Sequence, residues 1–110
     1  VMDSTFLSYQ DLAADKLRDS GVLWILNPLG YLLVSDEYSP YKYAPHFDRP
    51  TLIIHGEKDP IIPLRFGEEI FERLKSKREI WKIKDGRHID GFFVQDLKYR
   101  RKFLQYLSDL

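Results

Sequence analysis

The sequence predicts an α/β fold in which parallel strands alternate with helices. Two segments, 51–55 and 79–84, have the length and the β-branched or alternating pattern of strands. Each precedes a segment with apolar residues at helical spacing, 63–74 and 93–107. This order implies a parallel sheet with right-handed crossovers, in which ligands bind beyond the carboxyl ends of the strands. The residues that directly follow each strand are therefore the first candidates for a functional site.

The composition describes one packed globular unit. The chain has 110 residues, of which 44% are hydrophobic and 15% aromatic, too many apolar side chains for a disordered chain and too few residues for two domains. Seventeen basic and seventeen acidic residues give a formal net charge of zero, so no overall field favours nucleic acid as a partner. The basic run at 98–102 is interpreted as the solvated face of a helix rather than a binding patch.

The absence of cysteine excludes a disulfide framework, a thiolate metal site and a cysteine nucleophile, and cytoplasm is the default expectation. The longest apolar stretch, 22–34, has 13 residues, short of the roughly 18 to 20 needed to span a bilayer, so no membrane span is expected. No signal peptide is recognised, and Val1 before Met2 suggests a truncated start.

The first half of the chain predicts a helical segment followed by an irregular connection. Residues 8–20 predict a short helix, with Gly21 where a left-handed C-cap belongs. The apolar stretch after it is broken at Asn27-Pro28 and predicts two short pieces. Residues 35–50 are polar, aromatic and punctuated by Pro40, Pro45 and Pro50, and they predict an irregular lid or linker without a regular element.

The second half predicts strand, helix, strand and helix in that order. The run 51–55 is typical of a strand covered on both faces, and Pro63 can begin the next helix. For that helix the predicted apolar stripe is Phe66, Ile70, Phe71 and Leu74. For the last helix, 93–107, the predicted apolar face is Phe93, Leu97, Leu104 and Leu107, flanked by Tyr99, Phe103 and Tyr106.

An acid and a histidine, Asp59 and His88, directly follow the two predicted strands. Side chains at the carboxyl ends of neighbouring parallel strands meet at one edge of the sheet. A carboxylate there can fix the tautomer of an imidazole and stabilise the imidazolium that forms in turnover. On spacing alone a purely structural origin of this pair is equally probable.

Two motifs around these residues resemble the α/β-hydrolases. PTLIIHGEKDPIIP, residues 50–63, resembles the strand and loop that deliver the catalytic Asp in that family. DGRH, residues 85–88, is similar to the loop that presents the catalytic His before the final helix. VMDSTF, residues 1–6, resembles the end of the strand that follows the nucleophile helix and favours the Bem46-like and acylaminoacyl-peptidase-like branch.

The resemblance implies a serine hydrolase acting on a small-molecule ester, thioester or amide without a cofactor. It assigns Asp59 as the acid and His88 as the base, and it makes Ile62 and Ile89 candidate walls of the substrate pocket. The chain would be the C-terminal part of one domain: the end of a strand at 1–7, a lid or connection at 8–49, and the acid- and base-bearing half at 50–110.

The nucleophile is not among these residues. No Gly-x-Ser-x-Gly elbow occurs, and Ser4 and Ser8 lack the flanking glycines that the sharp turn of an elbow needs. The resemblance therefore places the serine and the oxyanion donors upstream of Val1, and the isolated chain is expected to be a poor hydrolase or none. The alternative is a non-catalytic binding or structural module of the same ancestry, although retention of both Asp59 and His88 argues against it.

Several other residues have less specific interpretations. His55 lies inside a strand and is expected to be a packed core residue, whereas His46 is expected to be exposed. His88 with Asp85 and Asp90 is weak evidence for a metal site, so no metal is expected. Five aromatic residues could line an acyl pocket or simply pack on the core: Trp24, Tyr31, Tyr38, Tyr41 and Tyr43. An exposed sheet edge would favour a homo-oligomer.

Overall fold

The structure is a computed structural model that describes residues 1–93 and 97–110. Within these residues three strands and five α-helices follow one another, with a 3₁₀ helix at Val22–Leu26 and another at Ala44–His46. The strands are β1 (Met2–Asp3), β2 (Thr51–Gly56) and β3 (Arg78–Ile83). The helices are α1 (Tyr9–Asp19), α2 (Asn27–Leu33), α3 (Pro40–Tyr43), α4 (Leu64–Arg73) and α5 (Lys98–Ser108).

The three strands form one parallel sheet in the order β1-β2-β3, which confirms the predicted fold class. Met2 of β1 lies opposite Ile53, and the β2–β3 register runs from Thr51 opposite Arg78 to Gly56 opposite Ile83. All six residues of the central strand β2 are buried, as the continuous apolar run predicts.

Helices cover both faces of β2. On one face Ile53 packs with Ile70 and Leu74 of the α4 region, together with Leu7 and Ala44. On the other face Leu52 and Ile54 pack with Trp81 and Ile83, against side chains of α5. Alternate residues of one strand therefore belong to two separate cores, as the two-residue period of a strand requires.

Helix α4 forms as the sequence predicts. Pro63 is its N-cap, a position at which the missing amide hydrogen of proline is harmless. Phe66, Ile70 and Leu74 recur at helical spacing and are completely buried. This helix closes the crossover from β2 to β3 and fixes the two strands side by side.

Helix α5 begins later and buries a different face than the sequence predicts. The helix begins at Lys98, Phe93 lies in a turn, and residues 94–96 of the predicted helix lie outside the described residues. The predicted apolar face is exposed to solvent, which applies to Phe93, Leu97, Leu104 and Leu107. Instead Tyr99, Phe103 and Tyr106 pack on β2 and β3, with the Tyr106 ring centroid 5.9 Å from that of Trp81.

The prediction of an irregular segment at 35–50 is wrong for residues 40–46, which form α3 and the second 3₁₀ helix. Pro40 and Pro45, two of the three prolines that suggested irregularity, occupy the first or second helical position of these short elements. Proline is well tolerated there because its fixed φ suits a helix and no amide donor is needed. The prediction failed because it treated Pro40 and Pro45 as helix breakers, whereas it correctly allowed Pro63 to begin a helix.

Asp36 connects the beginning of α1 to the residues that precede α3 through side-chain hydrogen bonds. The Asp36 carboxylate accepts hydrogen bonds from Ser8 Oγ (2.7 Å) and from the Gln10 amide (3.1 Å). Ser39 Oγ donates to the same carboxylate and accepts from the Tyr9 amide. The helix at 8–20 and the break at Asn27 follow the predictions, and Gly21 has the positive φ of a left-handed cap, +70°.

Among the helices of residues 1–93 and 97–110, none has both the length and the apolar character required to traverse a lipid bilayer.

Candidate active site

Asp59 and His88 form a hydrogen-bonded pair at the carboxyl ends of β2 and β3. His88 Nδ1 lies 2.9 Å from Asp59 Oδ2. Because a carboxylate only accepts hydrogen bonds, the imidazole proton of this bond is on Nδ1, and Nε2 of the neutral ring is the basic nitrogen. The Asp59 side chain is completely buried, whereas 26% of the His88 side chain is exposed. Solvent therefore reaches the imidazole of His88 but not the carboxylate of Asp59.

The second oxygen of Asp59 is held by the backbone of its own loop. Asp59 Oδ1 accepts hydrogen bonds from the amides of Ile61 and Ile62, both 2.8 Å long. Burial alone would raise the pKa of Asp59, but these two amides and the His88 ring outweigh burial, so its pKa lies below its ordinary value. The loop therefore keeps the acid ionised and aimed at the histidine.

Backbone hydrogen bonds join the loop that carries Asp59, residues 57–63, to the loop that carries His88, residues 84–89. These are called the acid loop and the histidine loop. The Glu57 amide donates to Ile83 O (3.0 Å) and the Lys58 amide to Gly86 O (2.9 Å). A Cβ on Gly56 would lie only 2.4 Å from the carbonyl oxygens of Gly86 and Arg87, so glycine permits this close approach. The two loops thus form one rigid edge of the sheet.

His55 of β2 contacts the acid loop from the interior of the protein. Its ring is completely buried, and Nε2 lies 2.8 Å from Ile62 O and 3.8 Å from Asp59 Oδ2. As a carbonyl only accepts, Nε2 carries the proton, and the buried Nδ1 has no hydrogen-bond partner among the described residues. The sequence analysis predicted a core residue and missed this contact with the loop, which its position four residues before Asp59 could have suggested.

Ser4 reaches the histidine loop from β1. Its hydroxyl donates to Asp3 Oδ1 (3.1 Å) and accepts from the amide of Ile89 (3.2 Å), the residue after His88. The sequence analysis considered Ser4 only as a nucleophile, and nothing in its local pattern pointed to the Ile89 amide, since the two residues lie 85 positions apart.

The two predicted pocket residues differ in their surroundings. Ile62 is buried, and its amide and carbonyl are both used to hold the acid loop. Ile89 is 57% exposed beside His88. Contact with substrate remains a prediction for both.

The remaining sequence predictions concern the exposure of His46, the five aromatic candidates for an acyl pocket and the absence of a metal site. His46 is exposed. Four of the five aromatic candidates are also largely exposed, namely Tyr31, Tyr38, Tyr41 and Tyr43, and the Trp24 side chain lies outside the described residues. Within the part of the chain that the structure describes, no group of three or more His, Asp or Glu side chains is arranged to hold a metal ion.

Comparison with solved structures identifies the fold. Esterase EaEST from Exiguobacterium antarcticum superimposes with a TM-score of 0.58 over 91% of this chain and 40% of that protein, at 19% sequence identity. The putative non-heme bromoperoxidase BpoC from Mycobacterium tuberculosis gives a TM-score of 0.54 over 86% of this chain and 40% of that one, at 17% identity. The chain has the fold of the C-terminal part of an α/β-hydrolase. At these identities the likeness establishes the fold alone.

Comparison with curated sequences gives a relative that is much longer than this chain. The uncharacterized protein YfhR from Escherichia coli is 34% identical over 93 residues, which are 84% of this chain and 29% of YfhR. No protein-family model matches the chain. The chain thus spans less than a third of the length of this relative.

Proposed function

We propose that this chain supplies the acid and the base of a serine hydrolase that acts on a small-molecule ester, thioester or amide. The observation that carries the proposal is the bond between His88 Nδ1 and Asp59 Oδ2 at the carboxyl ends of two parallel strands. In α/β sheets this is the edge at which ligands bind. The α/β-hydrolase fold supports the same assignment, and EaEST, which shares it, is described as an esterase.

In the proposed reaction, Nε2 of His88 accepts the proton of a serine hydroxyl that lies upstream of this chain. The serine oxygen forms a bond to the acyl carbon, and the bond from that carbon to the leaving group breaks. His88 then returns the proton to the leaving group. In the second half of the cycle His88 takes a proton from water, the water oxygen forms a bond to the acyl carbon, the bond from that carbon to the serine oxygen breaks, and His88 returns the proton to the serine. Asp59 holds the ring in the required tautomer and stabilises the imidazolium. No cofactor takes part.

The same proposal covers the finer assignments. Residues 1–7, 8–49 and 50–110 are proposed as the strand end, the lid or connection, and the acid- and base-bearing half of one domain. Exposed Ile89, next to His88, is proposed to contact the substrate, and Ile62 to shape the pocket from beneath. The Bem46-like and acylaminoacyl-peptidase-like branch and a cytoplasmic location remain part of the proposal.

The test uses the longest natural polypeptide that contains this chain. Reaction with a fluorophosphonate probe and turnover of p-nitrophenyl acetate are measured for wild type, His88→Ala and His46→Ala. His46 is an exposed histidine on a 3₁₀ helix and serves as the matched control. We expect labelling and turnover to be lost in His88→Ala and retained in His46→Ala, with all three proteins unfolding at similar urea concentrations.

A wild-type protein that neither reacts with the probe nor turns over the ester would support the alternative of a non-catalytic module. Equal activity of His88→Ala and wild type would exclude His88 as the base. Labelling of the isolated 110-residue chain would contradict the upstream position of the nucleophile.

A further inference from the structure

Ser4 has a strained backbone at the end of β1. Its amide donates to Ile54 O at 2.9 Å, which continues the pairing of β1 with β2 by one residue. Its φ is +47°, in the left-handed region that is unfavourable for a residue other than glycine. The residue is also 94% buried. Strain of this kind persists only where surrounding contacts fix it, and it is often found at functional sites.

The residue that Ser4 contacts across the sheet edge is strained in the same way. Ile89 has φ +55°, an uncommon conformation for a β-branched side chain, and it directly follows His88. The hydrogen bond from the Ile89 amide to Ser4 Oγ joins the two strained positions. The carboxylate of Asp3 accepts a hydrogen bond from the Ser4 hydroxyl, which directs a lone pair of Ser4 Oγ towards the Ile89 amide.

We propose that Ser4 is a positioning residue whose hydroxyl, oriented by Asp3, holds the Ile89 amide and thereby fixes the backbone that carries His88. This role rests on the proposed function, because it serves the base of the proposed triad. Asp59 fixes one side of the imidazole through Nδ1, but a single hydrogen bond leaves the ring free to swing about it. The Ser4 contact removes that freedom by anchoring the peptide that follows His88 to the end of β1.

The surroundings of Asp3 fit this arrangement. Burial raises the pKa of Asp3, and the hydrogen bond from Ser4 together with the charges of His55 and His88 lowers it again, with a raised pKa as the net result. Asp3 is thus half-buried close to the proposed base, and its bond to Ser4 is one of the interactions that favour its ionised form.

The rival role for Ser4 is that of nucleophile, because a positive φ after a strand also occurs at nucleophile elbows. The contacts of Ser4 disfavour this role. Its hydroxyl hydrogen is directed to Asp3 rather than to a histidine, and the chain lacks the elbow glycines around Ser4. A positioning role and a nucleophilic role differ in whether an acylating probe still reacts once the hydroxyl is removed.

The experiment compares three substitutions of Ser4 in the longest natural polypeptide that contains this chain. Ser4→Ala removes the hydroxyl and keeps the strain, Ser4→Gly removes the hydroxyl and relieves the strain, and Ser4→Thr keeps the hydroxyl. Ser39→Ala is the matched control, since Ser39 is a fully buried serine whose hydroxyl bonds the Tyr9 amide and Asp36. Readouts are kcat and KM, fluorophosphonate labelling, and the NMR resonances of the His88 Nδ1 proton and the Ile89 amide.

We expect Ser4→Ala and Ser4→Gly to lower kcat about 10- to 100-fold with little change in KM, because a misplacement of about 1 Å can cost two orders of magnitude. Both variants are expected to shift the His88 Nδ1 resonance, to lose exchange protection at the Ile89 amide and to retain labelling. Ser4→Thr keeps the hydroxyl but adds a methyl group at a strained, buried position, so it is expected to retain more activity than Ser4→Ala and less than wild type. Ser39→Ala is expected to leave kcat and both resonances unchanged.

Loss of labelling in Ser4→Ala would identify a nucleophile and overturn the positioning role. Full activity of Ser4→Gly, an unchanged His88 resonance, or an equal loss of kcat in Ser39→Ala would overturn it too. The NMR readouts do not depend on turnover. If the wild type has no hydrolase activity, they still show whether Ser4 fixes the His88 loop while the proposed function fails.

Discussion

At the residue scale, the pair Asp59 and His88 depends on a carboxylate whose two oxygens are both occupied. One oxygen is bound by two backbone amides and the other by the imidazole. Because the amides belong to the same loop as Asp59, this part of its orientation does not depend on contacts with the histidine loop. The local sequence encodes this half of the site, which is why the acid could be predicted from a short motif.

The first prediction concerns Asp59 and acid stability. Its pKa is below the ordinary value in the folded state, so the unfolded chain binds this proton at a higher pH than the folded chain. The stability that Asp59 contributes is therefore complete above the unfolded-state pKa of about 4 and is lost as the pH falls through the lower folded-state pKa. Urea unfolding at stepwise pH is expected to show a steeper acid loss for wild type than for Asp59→Asn.

The control for this prediction is Asp109→Asn, a carboxylate near the C-terminus that accepts hydrogen bonds from Gln105 of the adjoining helix. We expect its pH profile to follow that of wild type. Parallel profiles of wild type and Asp59→Asn below pH 4 would contradict the account of the Asp59 environment.

At the element scale, the site depends on how closely the loops after β2 and β3 approach each other. Gly56 ends β2 beneath the carbonyl groups of the histidine loop, and the backbone of each loop bonds the other. Both strands and this glycine were recognisable in the sequence, since a buried parallel strand and a following glycine have local patterns. The positions of the two loops follow from the parallel register of β2 and β3.

Gly56→Ala is expected to separate the two loops. Its Cβ would meet two backbone oxygens at 2.4 Å, and overpacking of this kind costs about 1–3 kcal/mol. We expect lower stability in urea unfolding together with a fall in ester turnover. Gly21→Ala is the control, because that position has open space and only a strained φ, so stability falls while kcat is retained. Unchanged turnover of Gly56→Ala would contradict the proposed coupling of the loops.

Helix α5 shows what periodicity alone could not decide. The segment has two overlapping apolar stripes, the aromatic one at 99, 103 and 106 and the leucine one at 104 and 107. Which stripe faces the sheet depends on where the helix begins and on the Trp81 ring of β3, and neither follows from spacing within the helix. The aromatic stripe fits because the Tyr106 ring packs edge-on against Trp81 and the tilted Tyr99 ring lies 6.4 Å from it, measured between centroids.

The corrected orientation of α5 predicts unequal effects of two neighbouring substitutions. Phe103 packs on Phe92, with ring centroids 5.2 Å apart, whereas Leu104 is 60% exposed. Phe103→Ala is expected to lower the free energy of unfolding by about 2–4 kcal/mol and Leu104→Ala by less than about 0.5 kcal/mol. Chemical denaturation of both variants is the measurement, and a larger loss for Leu104→Ala would favour the original sequence prediction.

At the scale of the whole molecule, the sheet has three strands and β1 forms one of its edges. The relatives and solved neighbours are considerably longer than this chain. Fold class and the proposed acid and base could be predicted because each rests on a local motif. The Ser4–Ile89 contact could not, since it joins two strained backbones 85 positions apart and depends on the assembled sheet.

The outer edge of β1 predicts association of the isolated 110-residue chain. An unpaired parallel edge presents free amide and carbonyl groups and tends to pair with another copy. We expect light scattering after size exclusion to give a mass above that of one chain. A monodisperse wild-type monomer would contradict the prediction.

The central claim, that Asp59 and His88 act as one catalytic unit, is tested most directly by a double-mutant cycle in kcat/KM. We expect Asp59→Asn to lower kcat/KM about 10⁴-fold and His88→Ala on the order of 10⁴–10⁶-fold in the longest natural polypeptide. The double variant is then expected to be no slower than His88→Ala alone, because an acid that orients a base has no role once the base is gone. Losses that multiply, or wild-type rates in either single variant, would contradict the claim.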